Sequence, residues 1–189
     1  MPGHIGFPAY CAMMAALPGT SAQLASKAGI KTKGAAEVMR RFWSLGLVYP
    51  GGIVGNPEQL SGGATKTVWH AGRGIPVSKR VKKIQPRAAH IMFASLVRAL
   101  EQPRTTKELA QIVGVGLVTM QARVKALRDA GLVHIPEWTR DAQGRAFARY
   151  EWGPGANVKK PPPLSSAEKW RRDKRNKARL LETVWRLAA

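Results

Sequence analysis

The chain has 189 residues, with 31 Lys and Arg against 11 Asp and Glu, a net charge of +20. A charge this high argues against an ordinary cytosolic enzyme and points to a polyanionic partner such as nucleic acid or an anionic membrane. A single cysteine, Cys11, excludes an intrachain disulfide or a cysteine-rich zinc site, and the histidines His4, His70, His90 and His134 lack metal-ligand spacing, so no cofactor or metal is indicated.

No run approaches the roughly 20 apolar residues needed to span a bilayer. The apolar stretch Ile5 to Leu17 is broken by Pro8 and has no cationic leader, so it does not read as a signal peptide. Tyr10, where a small residue is needed, argues against lipidation of Cys11. These features predict a cytoplasmic protein.

A shift of 85 positions superimposes Thr20, Leu24, Ala25, Gly29, Gly46, Leu47 and Val48 on Thr105, Leu109, Ala110, Gly114, Gly131, Leu132 and Val133 without a gap. The chain therefore contains a duplicated unit. Copy one opens with Tyr10, Met13, Met14 and Leu17 at i, i+3, i+4, i+7, one apolar helix face, and copy two with Phe93, Leu96, Val97 and Leu100. Pro18-Gly19 and Pro103 end these first helices. Thr20 with Gln23 and Thr105 with Glu108 form capping boxes that start second helices over 21–28 and 106–113. Gly29 and Gly114 turn the chain into third helices over 32–45 and 117–130. Their buried stripes are Ala35, Val38, Met39 and Phe42 in copy one, and Met120, Val124 and Leu127 in copy two. Gly46 and Gly131 terminate them.

The period then changes to that of strands. Residues 132–138 and 146–152 read as a hairpin around the turn 139–145. In copy one the partners are 47–49 and about 65–70, joined by the glycine-rich loop 50–64, whose only charge is Glu58. Three helices followed by a hairpin is the order of a winged helix. The predicted fold class is mainly α with small β-hairpin wings: winged helix domains over 8–72 and 88–153, a basic linker over 73–87, a proline-rich linker over 154–164 and a basic helix over 165–189.

The pattern T-x-x-[QE]-L-A, Gly-[Ile/Val], Gly-Leu-Val resembles the winged helix-turn-helix superfamily of MarR-like and Lrp-like bacterial regulators, over most of the chain. The resemblance implies that the third helix enters the major groove and that the hairpin touches the backbone or minor groove. Candidate DNA-binding residues on the third helices are Lys31, Thr32, Lys33, Arg40 and Arg41 in copy one, and Thr119, Gln121, Arg123, Lys125 and Arg128 in copy two. Arg and Lys bond guanine edges or phosphates, and Gln bonds adenine. Arg140 and Arg145 flank the second hairpin tip, within reach of a minor groove. As an alternative, all these groups are the solvated face of amphipathic helices.

Charge falls unevenly: +9 over 1–86, +4 over 87–158 and +7 over 159–189. Arg73, Lys79, Arg80, Lys82 and Lys83 make the linker basic, either to track a DNA backbone or as a plain spacer. Copy one, whose loop has only Glu58 as a charge and no cation to grip a phosphate, is also a candidate protein-docking module. In the tail, Lys159-Lys160-Pro-Pro-Pro is a semi-rigid spacer, and Ser165 or Ser166 caps a helix to about 187. Its first half carries Lys169, Arg171, Arg172, Lys174, Arg175, Lys177 and Arg179, and its second half Leu180, Leu181, Val184, Trp185 and Leu187. This pattern suits phosphate binding followed by docking on the protein itself or a partner. A membrane-surface helix and an arginine-rich RNA-binding helix are alternatives; leucine-zipper heptads are absent. Trp43, Trp138, Trp152, Trp170 and Trp185 are read as packing groups before base-stacking platforms.

Catalysis lacks a constellation. Carboxylates are thinly spread, Gly114-Val-Gly116 lacks the third glycine of a dinucleotide fingerprint, and Gly51-Gly-Ile-Val-Gly55 has no Gly-Lys-Ser/Thr after it. The sequence thus predicts a non-enzymatic, sequence-specific double-stranded DNA-binding protein, a bacterial or phage transcriptional regulator. Alternatives are a replication initiator or nucleoprotein-architecture factor, a protein docking on host transcription machinery, and an RNA-binding tail.

Overall fold

The computed structural model describes residues 5–54, 66–73 and 85–188. Most of the glycine-rich loop, with Glu58, and the linker cations Lys79, Arg80, Lys82 and Lys83 lie outside the described residues, as do the side chains of Leu180, Val184, Trp185 and Leu187. The architecture is mainly helical, with two small three-stranded antiparallel sheets.

Copy one runs α1 (Phe7–Ala15), β1 (Gly19–Thr20), α2 (Ser21–Ala28), α3 (Thr32–Ser44), β2 (Val48–Val54) and β3 (Lys66–Ala71). Copy two repeats that order as α4 (Ala88–Ala99), β4 (Arg104–Thr105), α5 (Thr106–Val113), α6 (Leu117–Asp129), β5 (Val133–Arg140) and β6 (Ala146–Trp152), and α7 (Ser166–Ala188) follows. Both capping boxes form: Thr20 Oγ1 accepts from Gln23 N at 3.4 Å and Thr105 Oγ1 from Glu108 N at 3.3 Å, while each longer side chain accepts from the threonine N–H. Gly29 and Gly114 terminate the second helices at φ +64 and +70, where a side chain would be strained. The stripes of α3 (Ala35, Val38, Met39, Phe42) and α6 (Met120, Val124, Leu127) are buried throughout.

Two-residue strands β1 and β4, which the sequence reading left out, end on the very threonines that cap α2 and α5. Each pairs with the return strand of its hairpin, giving orders β1-β3-β2 and β4-β6-β5. Strand β2 continues past the predicted end at Tyr49. It tolerates Pro50 because it is an edge strand, and the register shifts between Pro50 and Gly52. A Cβ at Gly51 would run into the His70 ring, so any other residue there forces that ring to move.

The copies share one core. Phe42 of α3 stacks on Phe93 of α4 with centroids 5.1 Å apart, and Tyr10 meets Phe42 and Phe93 edge-on at 5.4 and 5.8 Å. Phe7 lies 5.3 Å from Phe93, and Tyr10 lies 5.2 Å from His90. Tyr10 and Phe93 hold equivalent places on the two first helices, with Phe7 and His90 three residues earlier. The pairs Phe7–Phe93 and Tyr10–His90 are therefore one contact made twice, as a twofold relation between copies requires. In the same sense, α1 packs on α6 and α4 on α3.

The tail docks on copy two. Val158 N donates to Ile135 O, and Ile135 N to Asn157 Oδ1, both at 2.8 Å, so this segment lines the free edge of β5. Trp138 Nε1 donates to Val158 O at 2.8 Å. Leu164 seats against Gly144 at the hairpin turn, where φ is +80 and a Cβ would collide with it.

Candidate nucleic-acid interface

With their apolar stripes buried, α3 and α6 turn the opposite face to solvent. On α3 that face carries Lys31, Thr32, Lys33 and Arg40, all exposed, and on α6 it carries Thr119, Gln121, Lys125 and Arg128, likewise exposed. Neither helix has a side-chain cap, since Lys31 and Gly116 occupy the N-cap positions, so the first-turn amides of both lack a side-chain acceptor. Lys125 Nζ pairs with Asp129 at 2.6 Å, but both groups are solvated. Such a pair contributes about 0–1 kcal/mol and yields readily to a phosphate.

Two predicted residues lie off this face. Arg123 occupies the position equivalent to buried Val38. Its guanidinium sits over the Phe7 ring at 5.7 Å, with Nη1 buried and without a hydrogen-bond partner. Arg41 is mostly buried, pairs with Glu37, and has Nε buried and unpartnered. Both belong to the joint between the copies, at the edges of the two buried stripes.

Arg140 also departs from its expected role. Instead of reaching outward from the hairpin, it donates to Gly144 O at 2.9 Å and to Pro162 O, holding the proline segment against the turn. Arg145 is exposed, its backbone N–H bound to Asp141 Oδ1 at 2.8 Å. The start of α7 is capped by Ser165 and Glu168, and hydrogen bonds to Ser165 hold the Glu168 carboxyl below its ordinary range. Arg172 spends its guanidinium on Asp141 O, and Asn176 reaches Ala142 O at 3.4 Å, so α7 is pinned to the hairpin tip. Arg171, Lys174 and Arg175 remain exposed, Lys174 lying 5.2 Å from the Trp170 ring centre.

Two clefts flank the contact of α7 with the hairpin tip. One is lined by Arg171, Arg172, Arg175 and Arg179 together with Glu168, and the other by Arg145, Lys160 and Lys169 along the prolines. In the sequence Lys160 belongs to the spacer and Lys169 to the run of tail cations; docking of the tail brings both beside Arg145, a neighbourhood the sequence does not show. Exposed Lys27, at the end of α2, is a further cation next to the start of α3. Its signal lay in the repeat: the equivalent position in copy two is Ile112.

Cys11 and His90 are internal. Cys11 is buried, which pushes its thiol up to about 12, so it is no nucleophile at neutral pH. His90 is buried against Tyr10 Oη at 3.3 Å, and desolvation, followed by the nearby Arg41 charge, lowers its pKa to about 4. Among the described residues no group of three or more His, Cys, Asp or Glu is placed to hold a metal ion, and no helix is long and apolar enough to cross a membrane.

No family model matches this chain, and no curated protein matches it. A solved structure similar to it is that of the DIP2311 protein from Corynebacterium diphtheriae, at 15% identity and a TM-score of 0.25, covering 75% of this chain and 24% of that one. The chain thus spans about a quarter of that protein's length, and a likeness so slight bears on neither fold nor activity.

Proposed function

We propose that this chain is a sequence-specific double-stranded DNA-binding protein built from two winged helices, acting in the cytoplasm as a transcriptional regulator without catalytic activity. One observation carries the reading. Each third helix buries a complete apolar stripe and presents cations and hydrogen-bonding side chains on the other face: Lys31, Thr32, Lys33 and Arg40 on α3, and Thr119, Gln121, Lys125 and Arg128 on α6. These are the side-chain types that bond guanine and adenine edges and phosphates. The repeated order of helix, short strand, two helices and hairpin supports the winged-helix assignment. The exposed cations of α7 add sequence-independent affinity through phosphate contacts.

The test is selection of bound duplexes from a random pool at about 150 mM salt, near physiological ionic strength. Enrichment of a motif with two spaced elements is the expected result. Binding without any motif would remove the third helices from their role as readers.

A further inference from the structure

The duplication supplies its own comparison, because one shift of 85 relates the reading faces position by position. Around the start of the third helix, copy one has Lys27, Lys31, Thr32 and Lys33, and copy two has Ile112, Gly116, Leu117 and Val118 in their places. All eight positions are exposed: Ile112 is 51% accessible, Leu117 46% and Val118 79%. One turn further on, Ala36 of copy one is replaced by Gln121. The side chains of Val118, Gln121, Lys125 and Arg128 then follow at i, i+3, i+7 and i+10, one stripe of α6 that is apolar at its start, an amide in the middle and cationic at its end.

That order has a chemical match in the major groove. A thymine exposes a C5-methyl group there, which apolar side chains contact, and its paired adenine offers N6 and N7, which a glutamine bonds in bidentate fashion. Lysines at the same place, as in copy one, have no use for a methyl group and favour phosphate or guanine oxygens. Resting on the DNA-binding reading above, we infer that the two copies read different half-sites. Copy two recognises an A·T-rich element, with Gln121 on adenine and Leu117 and Val118 on thymine methyls, whereas copy one grips its element through Lys31, Lys33 and Arg40. The target is therefore not a palindrome, although the protein is a twofold repeat.

The experiment takes the motif recovered from random duplexes and replaces thymine by deoxyuracil, which lacks only the methyl group, one element at a time. Replacement in the A·T element weakens binding of the full chain about fourfold for each methyl it had buried, and replacement in the other element leaves binding unchanged. The double variant L117T/V118K, which gives copy two the residues of copy one at exposed positions, binds thymine and deoxyuracil duplexes alike. Gln121→Ala, the residue of copy one, relaxes the choice of adenine. Two like elements, or indifference of the full chain to deoxyuracil, overturn the inference and leave DNA binding intact. So does a change of oligomeric state in L117T/V118K, measured by light scattering, with its discrimination against deoxyuracil retained; the apolar patch is then a protein contact. Failure to bind any duplex overturns the DNA-binding reading itself.

Discussion

His90 and Arg123 show what the joint between the copies does to individual side chains. Burial and the Arg41 charge hold His90 neutral down to about pH 4, against an ordinary 6.5 in the unfolded chain. Between those values the unfolded state binds the extra proton, so stability rises with pH from 4 and levels off above 6.5. Acidification through this window removes at most roughly 3 kcal/mol. Urea unfolding at a series of pH values measures the slope, and His90→Phe, which keeps an aromatic ring against Tyr10, flattens it. Arg123 has a buried nitrogen without a partner, and burial of an unpaired polar group is costly. Arg123→Met therefore melts at the same or a higher temperature and selects the same DNA motif, whereas Lys125→Ala alters selection without changing stability. The inward position of Arg123 was legible in principle, for Met120, Arg123, Val124 and Leu127 follow i, i+3, i+4, i+7. Reading by charge rather than by angle put it outside. Arg140 was not legible, because its partners Gly144 and Pro162 meet only after the tail folds back.

Among the elements, those governed by local chemistry match their predicted bounds. Helices α2 and α5 begin and end where the capping threonines and left-handed glycines place them. Thr105→Ala costs about 1 kcal/mol in a denaturant titration, and Thr20→Ala the same, since the two boxes share one geometry. Thr105→Ser, which keeps the hydroxyl, recovers most of it. Strands β1 and β4 escaped sequence reading because two residues have no period; their identity comes wholly from pairing with β3 and β6. The proline content of the tail segment predicts an extended, semi-rigid spacer, and an extended form is what the segment takes. Its docking on β5 depends on acceptors and donors far away in sequence, such as Ile135 and Trp138. By lining that edge it also occupies backbone groups to which another extended chain would otherwise add.

At the scale of the molecule, the repeat was legible and the joint core was not. The aromatic residues Phe7, Tyr10, Phe42 and Phe93 carry the same apolar signal whether they close one copy or bridge two. Neither residues 1–86 nor residues 87–189 alone should give a cooperative unfolding transition, because each half leaves its share of those rings in water. Mixing the halves restores the transition in a concentration-dependent way, which circular dichroism checks. The same continuity sets the energetics of encounter. Two separate subunits joined by such rings part on dilution, following mass action. Here the second half is tethered at an effective concentration in the millimolar range. Closure is thus a first-order event, with the same rate in a cell holding a handful of molecules as in one holding thousands. Covalent linkage also lets each half diverge without its change being copied onto the other, which two identical subunits never permit.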